Sequence, residues 1–264
     1  VLSEMDARSA ATEAEIAQLR ERIDAIPGNG VAAAAFEREI AAIEVQIVEV
    51  VGLLGDGRVA NRGPLEVDFG LSGGLTVVDF PTPQATALFG QSGIERDDED
   101  FFAAYILNHI LGGGGFESRL MQEVREERGL TYGIGTYLVP KFHAEMLLGS
   151  VASSNATIAQ AISVTRDVWA DTAANGITDA ELTAAKTYLT GEYPLRFDGN
   201  SEIANIMVGM QMIDLSPDYV TNRNDFINAV TLEDVNRVAA ELLTPDDLHF
   251  VVVGQPEGLL TTSE

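Results

Sequence analysis

The sequence predicts an α+β domain, a mostly antiparallel sheet with helices packed on one face. Three observations lead there. The predicted strands come in consecutive pairs, which favours hairpins over the strict strand-helix alternation of a doubly wound sheet. Most helical segments fall together between the second strand pair and a last, lone strand. With 264 residues and 46% hydrophobic content, the chain can bury one large core or two modest ones, and one main domain over residues 61–264 is expected.

Residues 1–60 read as a helical arm of unassigned role. Ile16, Leu19, Ile23 and Ile26 recur at helical spacing before the breaker Pro27-Gly28-Asn29-Gly30. A second helical run, Ala32 to Leu54, carries Phe36, Ile40, Ile43, Ile47 and Val51 and is closed by Gly55-Asp56-Gly57. From Arg58 to Gly74, Gly, Pro and Asn with few apolar residues mark a connection. Two strands follow, Leu75 to Phe80 and Gln84 to Gly90, around Pro81-Thr82-Pro83, whose missing donors suit a turn or sheet edge. Asp97, Asp98, Glu99 and Asp100 then load the positive end of a helix whose stripe is Phe101, Phe102, Tyr105, Ile106 and Ile110.

The stretch from Leu107 to Tyr137 organises the rest. Gly112 to Gly115 break the helix and let the chain reverse. Phe116, Leu120 and Val124 predict the packed face of a second helix, ended by Gly129. From Leu130 the period becomes two, so Leu130, Tyr132, Ile134, Thr136 and Leu138 are expected on one strand face, with Arg125 closing the helix and Tyr132 opening the strand. His143 to Ala152 pairs with this strand as a hairpin around Pro140-Lys141. A long helix from Asn155 to Asn175 turns Ile158, Ile162, Thr165 and Trp169 inward and stops at Gly176. Thr178 with Glu181 forms a capping box for a helix reaching Tyr193 before Pro194. Asn200 to Met212 and Leu232 to Leu243 are helical, the second capped by Thr231 with Asp234. Leu248 to Val253, almost wholly apolar, is a strand with an interior place in the sheet.

Composition narrows the function. Forty-one acidic against 16 basic residues, a formal charge of −25, repel a nucleic-acid backbone, so nucleic acid is not expected as a partner. The acidity gives a self-repelling surface and could draw basic peptides. No cysteine is present, which removes disulfides, thiolate metal sites and a cysteine nucleophile. No apolar run reaches membrane-spanning length, so a soluble chain without membrane partners is expected. A start at Val1 fits the removal of a signal peptide or of a larger upstream piece.

Gly112 to Gly115 lack the Gly-Lys-Ser/Thr ending of a phosphate loop and follow a helix, so a structural or substrate-facing break is expected. His109, His143 and His249 stand in no H-x-x-E-H or H-E-x-x-H frame, so no metal site is expected in this chain. Arg125 and Tyr132 form a sharper pair. Across the Gly129 turn, a guanidinium fork and a phenolic donor can converge on a peptide carbonyl or carboxylate.

At these residues the sequence resembles the pitrilysin, insulysin and mitochondrial processing peptidase family of zinc peptidases. The likeness is specific in NHILGGGGFESRLMQEVREERGLTYGI, residues 108–134, and looser from Leu75 through Gln255. In that family two homologous α+β halves close like a clamshell. One half carries H-x-x-E-H, and the other an Arg and a Tyr seven residues apart, the spacing of Arg125 and Tyr132. The resemblance implies that Arg125 holds substrate backbone and Tyr132 helps bind the scissile carbonyl as it becomes an oxyanion. It implies that Gly113, Gly114 and Phe116 contact an unstructured peptide added to a sheet edge. H-x-x-E-H is absent, so this chain reads as the zinc-less half. It would be inactive alone and need no cofactor of its own, with zinc in a homologous partner half that is either a separate subunit or part of a longer chain. The rival reading is a non-enzymatic assembly scaffold similar to the core subunits of respiratory complexes. The family's bacterial members imply a periplasmic rather than a cytoplasmic home.

Overall fold

The computed structural model describes residues 72–141 and 144–260. The helical arm, its boundary at residues 60/61, almost all of the connection before Gly74, and His143 lie outside the described residues. Five strands form one mixed sheet: β1 (Gly74–Asp79), β2 (Gln84–Ser92), β3 (Ile134–Val139), β4 (Met146–Ser154) and β5 (His249–Gly254). Their order is β1-β5-β2-β4-β3. Only β1 with β5 is parallel, with Val77 opposite Val252, and the other pairs are antiparallel. The α+β expectation holds, and the last strand is interior as its apolar run suggests. The two strands flanking Pro81 and Pro83 are not a hairpin, because β5 lies between them and Phe80 N–H donates to Gly254 O at 3.1 Å.

Helices cover one face of the sheet. They are α1 (Phe101–Asn108), α2 (Ile158–Asn175), α3 (Asp179–Glu192), α4 (Asn200–Met212), α5 (Tyr219–Ala229) and α6 (Leu232–Leu242). Ile158, Ile162, Thr165 and Trp169 of α2 are buried as their spacing predicts. They meet the inward residues Ala85, Ala87 and Phe89 of β2 and Phe250 and Val252 of β5. Phe89 stacks on Phe250 at 5.0 Å and takes Trp169 edge-on at 6.1 Å. Gly149 of β4 makes room for this ring cluster, since a Cβ there would stand 2.3 Å from Phe89 Cζ. Each fully buried large side chain contributes about 1.5–3 kcal/mol, so this cluster is a main source of stability.

Both capping boxes form. Thr178 Oγ1 accepts from Glu181 N–H and Thr178 N–H donates to Glu181 at 2.7 Å, while Thr231 and Asp234 do the same for α6. Among the described residues no helix is long and apolar enough to cross a membrane.

Two expectations are corrected, and one helix is new. The third strand begins at Ile134, so Tyr132 lies in a bend before it and is 84% exposed rather than on a packed strand face. Phe116 is 57% exposed and leaves the stripe of Leu120 and Val124, because Ser118 is extended (φ −76°, ψ 149°) and breaks the helical phase between them. α5 was not predicted, since its sequence YVTNRNDFINA shows no clear apolar period. Within the interior strand β5, Val251 and Val253 are each 38% exposed on the side away from the helices.

Candidate functional site

The candidate site is built by the connection from α1 to β3. α1 does not end at Asn108 but widens into a π-helical turn, His109–Gly113. The widening presses Gly112 against β3, where a Cβ would stand 2.5 Å from Thr136 Oγ1. At Gly113 a Cβ would meet Asn108 Nδ2 at 2.8 Å, and at Gly114 His109 O at 2.7 Å, so these two glycines are packed against the preceding turn. Gly115, at φ +61°, reverses the chain into the short turn Gly115–Glu117, as the glycine run predicts.

Ser118 caps that turn, its hydroxyl donating to Gly115 O at 2.8 Å. Arg119 and Leu120 then begin a helix that continues as a second π-helical turn, Met121–Glu126. Leu120, Met121 and Val124 bury its inner side. Arg119 fixes it from outside through a fork to Glu181 (2.7 and 2.9 Å) and a bond to Thr172 Oγ1 at 3.1 Å.

Glu181 also closes the α3 capping box. Burial pushes its carboxyl pKa up, but bonds from Arg119 and from the Thr178 backbone and hydroxyl, with the Arg119 charge, outweigh this and hold it at about 2, below its ordinary 4.5. A group with a depressed folded pKa stabilises above the unfolded value and loses that contribution as pH falls through the folded one. Glu181→Gln should thus lower stability near neutral pH by on the order of 1–2 kcal/mol, after allowing for the screening of a partly exposed pair. The difference from the native chain should close as pH falls from 4.5 toward 2. Urea unfolding of both proteins across that range is the measurement, and a gap that stays constant would remove Glu181 as its origin.

Arg125 lies on the last turn of this helix. Its guanidinium sits 4.4 Å over the Phe116 ring and reaches Glu126 Oε1 at 3.3 Å. Gln122 holds the Phe116 backbone, donating from Nε2 to Phe116 O at 2.7 Å. The exposed ring is therefore the platform for the arginine. Gly129, at φ +61°, ends the helix: its N–H donates to Arg125 O at 2.8 Å and Leu130 N–H to Val124 O at 2.9 Å. Both spans are one residue longer than in the usual glycine-capped end, as the wide π turn requires.

The bend carrying Tyr132 is pinned on either side. Ser153 Oγ donates to Leu130 O at 2.6 Å, Thr131 Oγ1 donates to Ala152 O at 2.6 Å, and Gly133 N–H donates back to Thr131 Oγ1 at 3.0 Å. Tyr132 itself projects into solvent with no hydrogen bond, ion pair or ring contact to another described residue. The structure thus brings together Arg125 and Phe116 of the predicted site residues. It sets Gly113 and Gly114 in the turn preceding them and holds Tyr132 beyond the Gly129 cap. Thr131 and Ser153 were missed from the sequence, although a Thr two residues before a Gly is a local signal for such a side-chain turn.

The described histidines are engaged elsewhere. His109 stacks on Tyr188 at 5.0 Å, and burial lowers its pKa against an opposing pull from Glu192. His249 faces Ser72 O at 3.0 Å and Thr76 Oγ1 at 3.1 Å. Among the described residues no three His, Asp or Glu side chains converge as a metal site.

The chain is 32% identical over 176 residues to an uncharacterized zinc protease of Streptomyces coelicolor, covering 65% of this chain and 37% of that protein. It is 26% identical over 175 residues to a non-peptidase homolog of Helicobacter pylori, covering 65% of this chain and 40% of that one. The chain thus spans well under half the length of these relatives. A crystal structure of a peptidase M16 inactive domain from Pseudomonas fluorescens superposes with a TM-score of 0.64 at 30% identity, over 73% of this chain and 45% of that one. The family profile described as "Peptidase M16 inactive domain" matches residues 46–189, more than half of the chain, and the chain belongs to that family.

Proposed function

We propose that this domain is the substrate-binding, zinc-less part of a two-half metallopeptidase, completing a site whose metal is held by a homologous partner half. The observation that carries the reading is the Arg125 guanidinium, braced on the exposed Phe116 ring at the end of a helix tied down by Arg119 and Glu181. A cation held over an aromatic face keeps its planar fork oriented, and with Nε of Arg125 facing Glu126 Oε1 its two terminal amino groups are left for a ligand. The fork suits the carbonyl oxygens of an extended peptide. Tyr132, exposed on a pinned bend, supplies an O–H donor for the carbonyl oxygen that gains negative charge as the peptide bond is attacked. The metal would belong to the partner, and this chain's share is to bind, orient and donate.

Isolation of the native complex with identification of its members tests the reading. A companion segment carrying H-x-x-E-H, and peptide cleavage that needs both parts, is the expected result. The chain alone should hold no stoichiometric zinc and cleave nothing. Cleavage by the chain alone would overturn the proposal. A stable complex without any H-x-x-E-H segment would instead favour the scaffold reading, to which the Helicobacter relative named a non-peptidase homolog lends support.

A further inference from the structure

A cavity of about 340 Å³ opens beside the candidate site, between the glycine turn and α3. Its walls include Gly114 and Glu117 from the turn, Ala180, Ala184 and Tyr188 from α3, and His109, whose ring stacks on Tyr188. Glu117, part of the cavity wall, is the residue after Phe116, whose ring lies under Arg125. We propose that this cavity is a side-chain subsite for a lysine or arginine of the bound peptide, an inference that rests on the peptide-binding reading above.

The chemistry of the walls selects the occupant. Ile110 and the methyls of Ala180, Ala184 and Ala185 suit the aliphatic stem of a long side chain. His109 packs against one face of the Tyr188 ring, and Tyr188 as a whole remains 60% exposed, which leaves ring surface for a cation. The carboxylates in and near the cavity are not equivalent. Glu181 is neutralised by the fork from Arg119. Glu192, on the same helix, is neutralised by Arg196, with bonds of 2.8 and 2.6 Å. Glu117 has no cation among the described residues, so the rim carries one uncompensated negative charge. An acidic side chain would face that charge on a protein of net charge −25, and a shorter apolar one would leave it unused.

The test measures binding of the full chain to short unstructured peptides that differ at one guest position, as Lys, Arg, norleucine or Glu, by fluorescence anisotropy. The ring resonances of His109 and Tyr188 are followed by NMR. Lys and Arg guests should bind roughly fivefold tighter than norleucine, from one exposed ion pair and one cation–π contact, and Glu should bind weakest. Glu117→Gln should erase the Lys-over-norleucine preference, and Ala184→Phe, which fills the cavity from an exposed helix position, should weaken the Lys guest. Equal binding of Lys and norleucine, an unchanged preference in Glu117→Gln, or ring signals indifferent to the guest would overturn the subsite. Arg125→Ala separates the two levels. If the peptides bind and Arg125→Ala weakens every guest alike, the peptide-binding reading stands whatever the guest series shows. If Arg125→Ala changes nothing, that reading falls and the subsite falls with it.

Discussion

Tyr132→Phe is expected to lower peptide turnover by the assembled two-half enzyme roughly 10²- to 10³-fold, the usual cost of losing one donor to a developing oxyanion. The substitution deletes one hydroxyl and nothing else. Tyr132 is 84% exposed and no other described residue bonds to it, so the described fold has no stake in that oxygen. The melting transition should stay within the range of a neutral surface change, about 0.5 kcal/mol. In the proposed reading the ground-state carbonyl is held by Arg125, so KM should move little while kcat falls. Steady-state kinetics with one unstructured peptide separates the two parameters. A Phe variant with native kcat takes Tyr132 out of the chemistry, and one with native kcat but raised KM reassigns it to substrate binding. Thr131 gives an internal comparison: Thr131→Val frees the bend from Ala152 O and should lower kcat, and Thr131→Ser should restore it because the hydroxyl is what spans that gap.

The parts of the architecture that depend on local chemistry could be read from the sequence. Thr178 with Glu181 and Thr231 with Asp234 mark helix starts because both partners of each box lie within four consecutive residues. The stripe of Ile158, Ile162, Thr165 and Trp169 marks a buried face because one unbroken helix carries it. The misread residues lie where the winding changes. Counting in fours from Phe116 to Leu120 crosses the extended Ser118, so the exposed platform looked like core. Counting in twos from Leu130 to Ile134 crosses a bend held by Thr131 and Ser153, so an exposed phenol looked like a strand residue. The two π-helical turns have no single-residue signature, yet they set where Arg125 points. α5 escaped because its inward residues include Arg223, only 3% exposed, whose charge is met by Leu189 O at 2.7 Å and by the Tyr193 ring at 4.4 Å. The place of β5 between β1 and β2 is a long-range pairing that no local pattern encodes.

Trp169→Ala should be the most damaging single substitution in the described core, costing about 3–5 kcal/mol, a large share of the roughly 5–15 kcal/mol that keeps a domain folded. The indole is fully buried and meets Phe89 edge-on, and Phe89 in turn stacks on Phe250, so its removal empties the space between α2 and two adjacent strands. Its Nε1–H also donates to Gln91 Oε1 at 2.7 Å. Gln91 is 1% exposed and links three elements, for Oε1 accepts from Thr244 N–H at 3.1 Å and Nε2 donates to Leu242 O at the end of α6. Trp169→Phe tests the packing part separately. It keeps most of the ring volume and leaves the Gln91 oxygen bonded to Thr244, so a smaller loss of about 1–2 kcal/mol is expected. Unfolding must be followed by circular dichroism, because Trp169 is the only tryptophan in the chain and both variants lose the fluorescence signal. One turn further along α2, Thr172 accepts the bond from Arg119 that steadies the Arg125 helix, so damage at Trp169 should reach the candidate site through that arginine. Below its melting point, Trp169→Ala should therefore bind peptide more weakly than Trp169→Phe. Equal affinity in the two variants would mean that the helix bearing Arg125 is steadied by Glu181 alone.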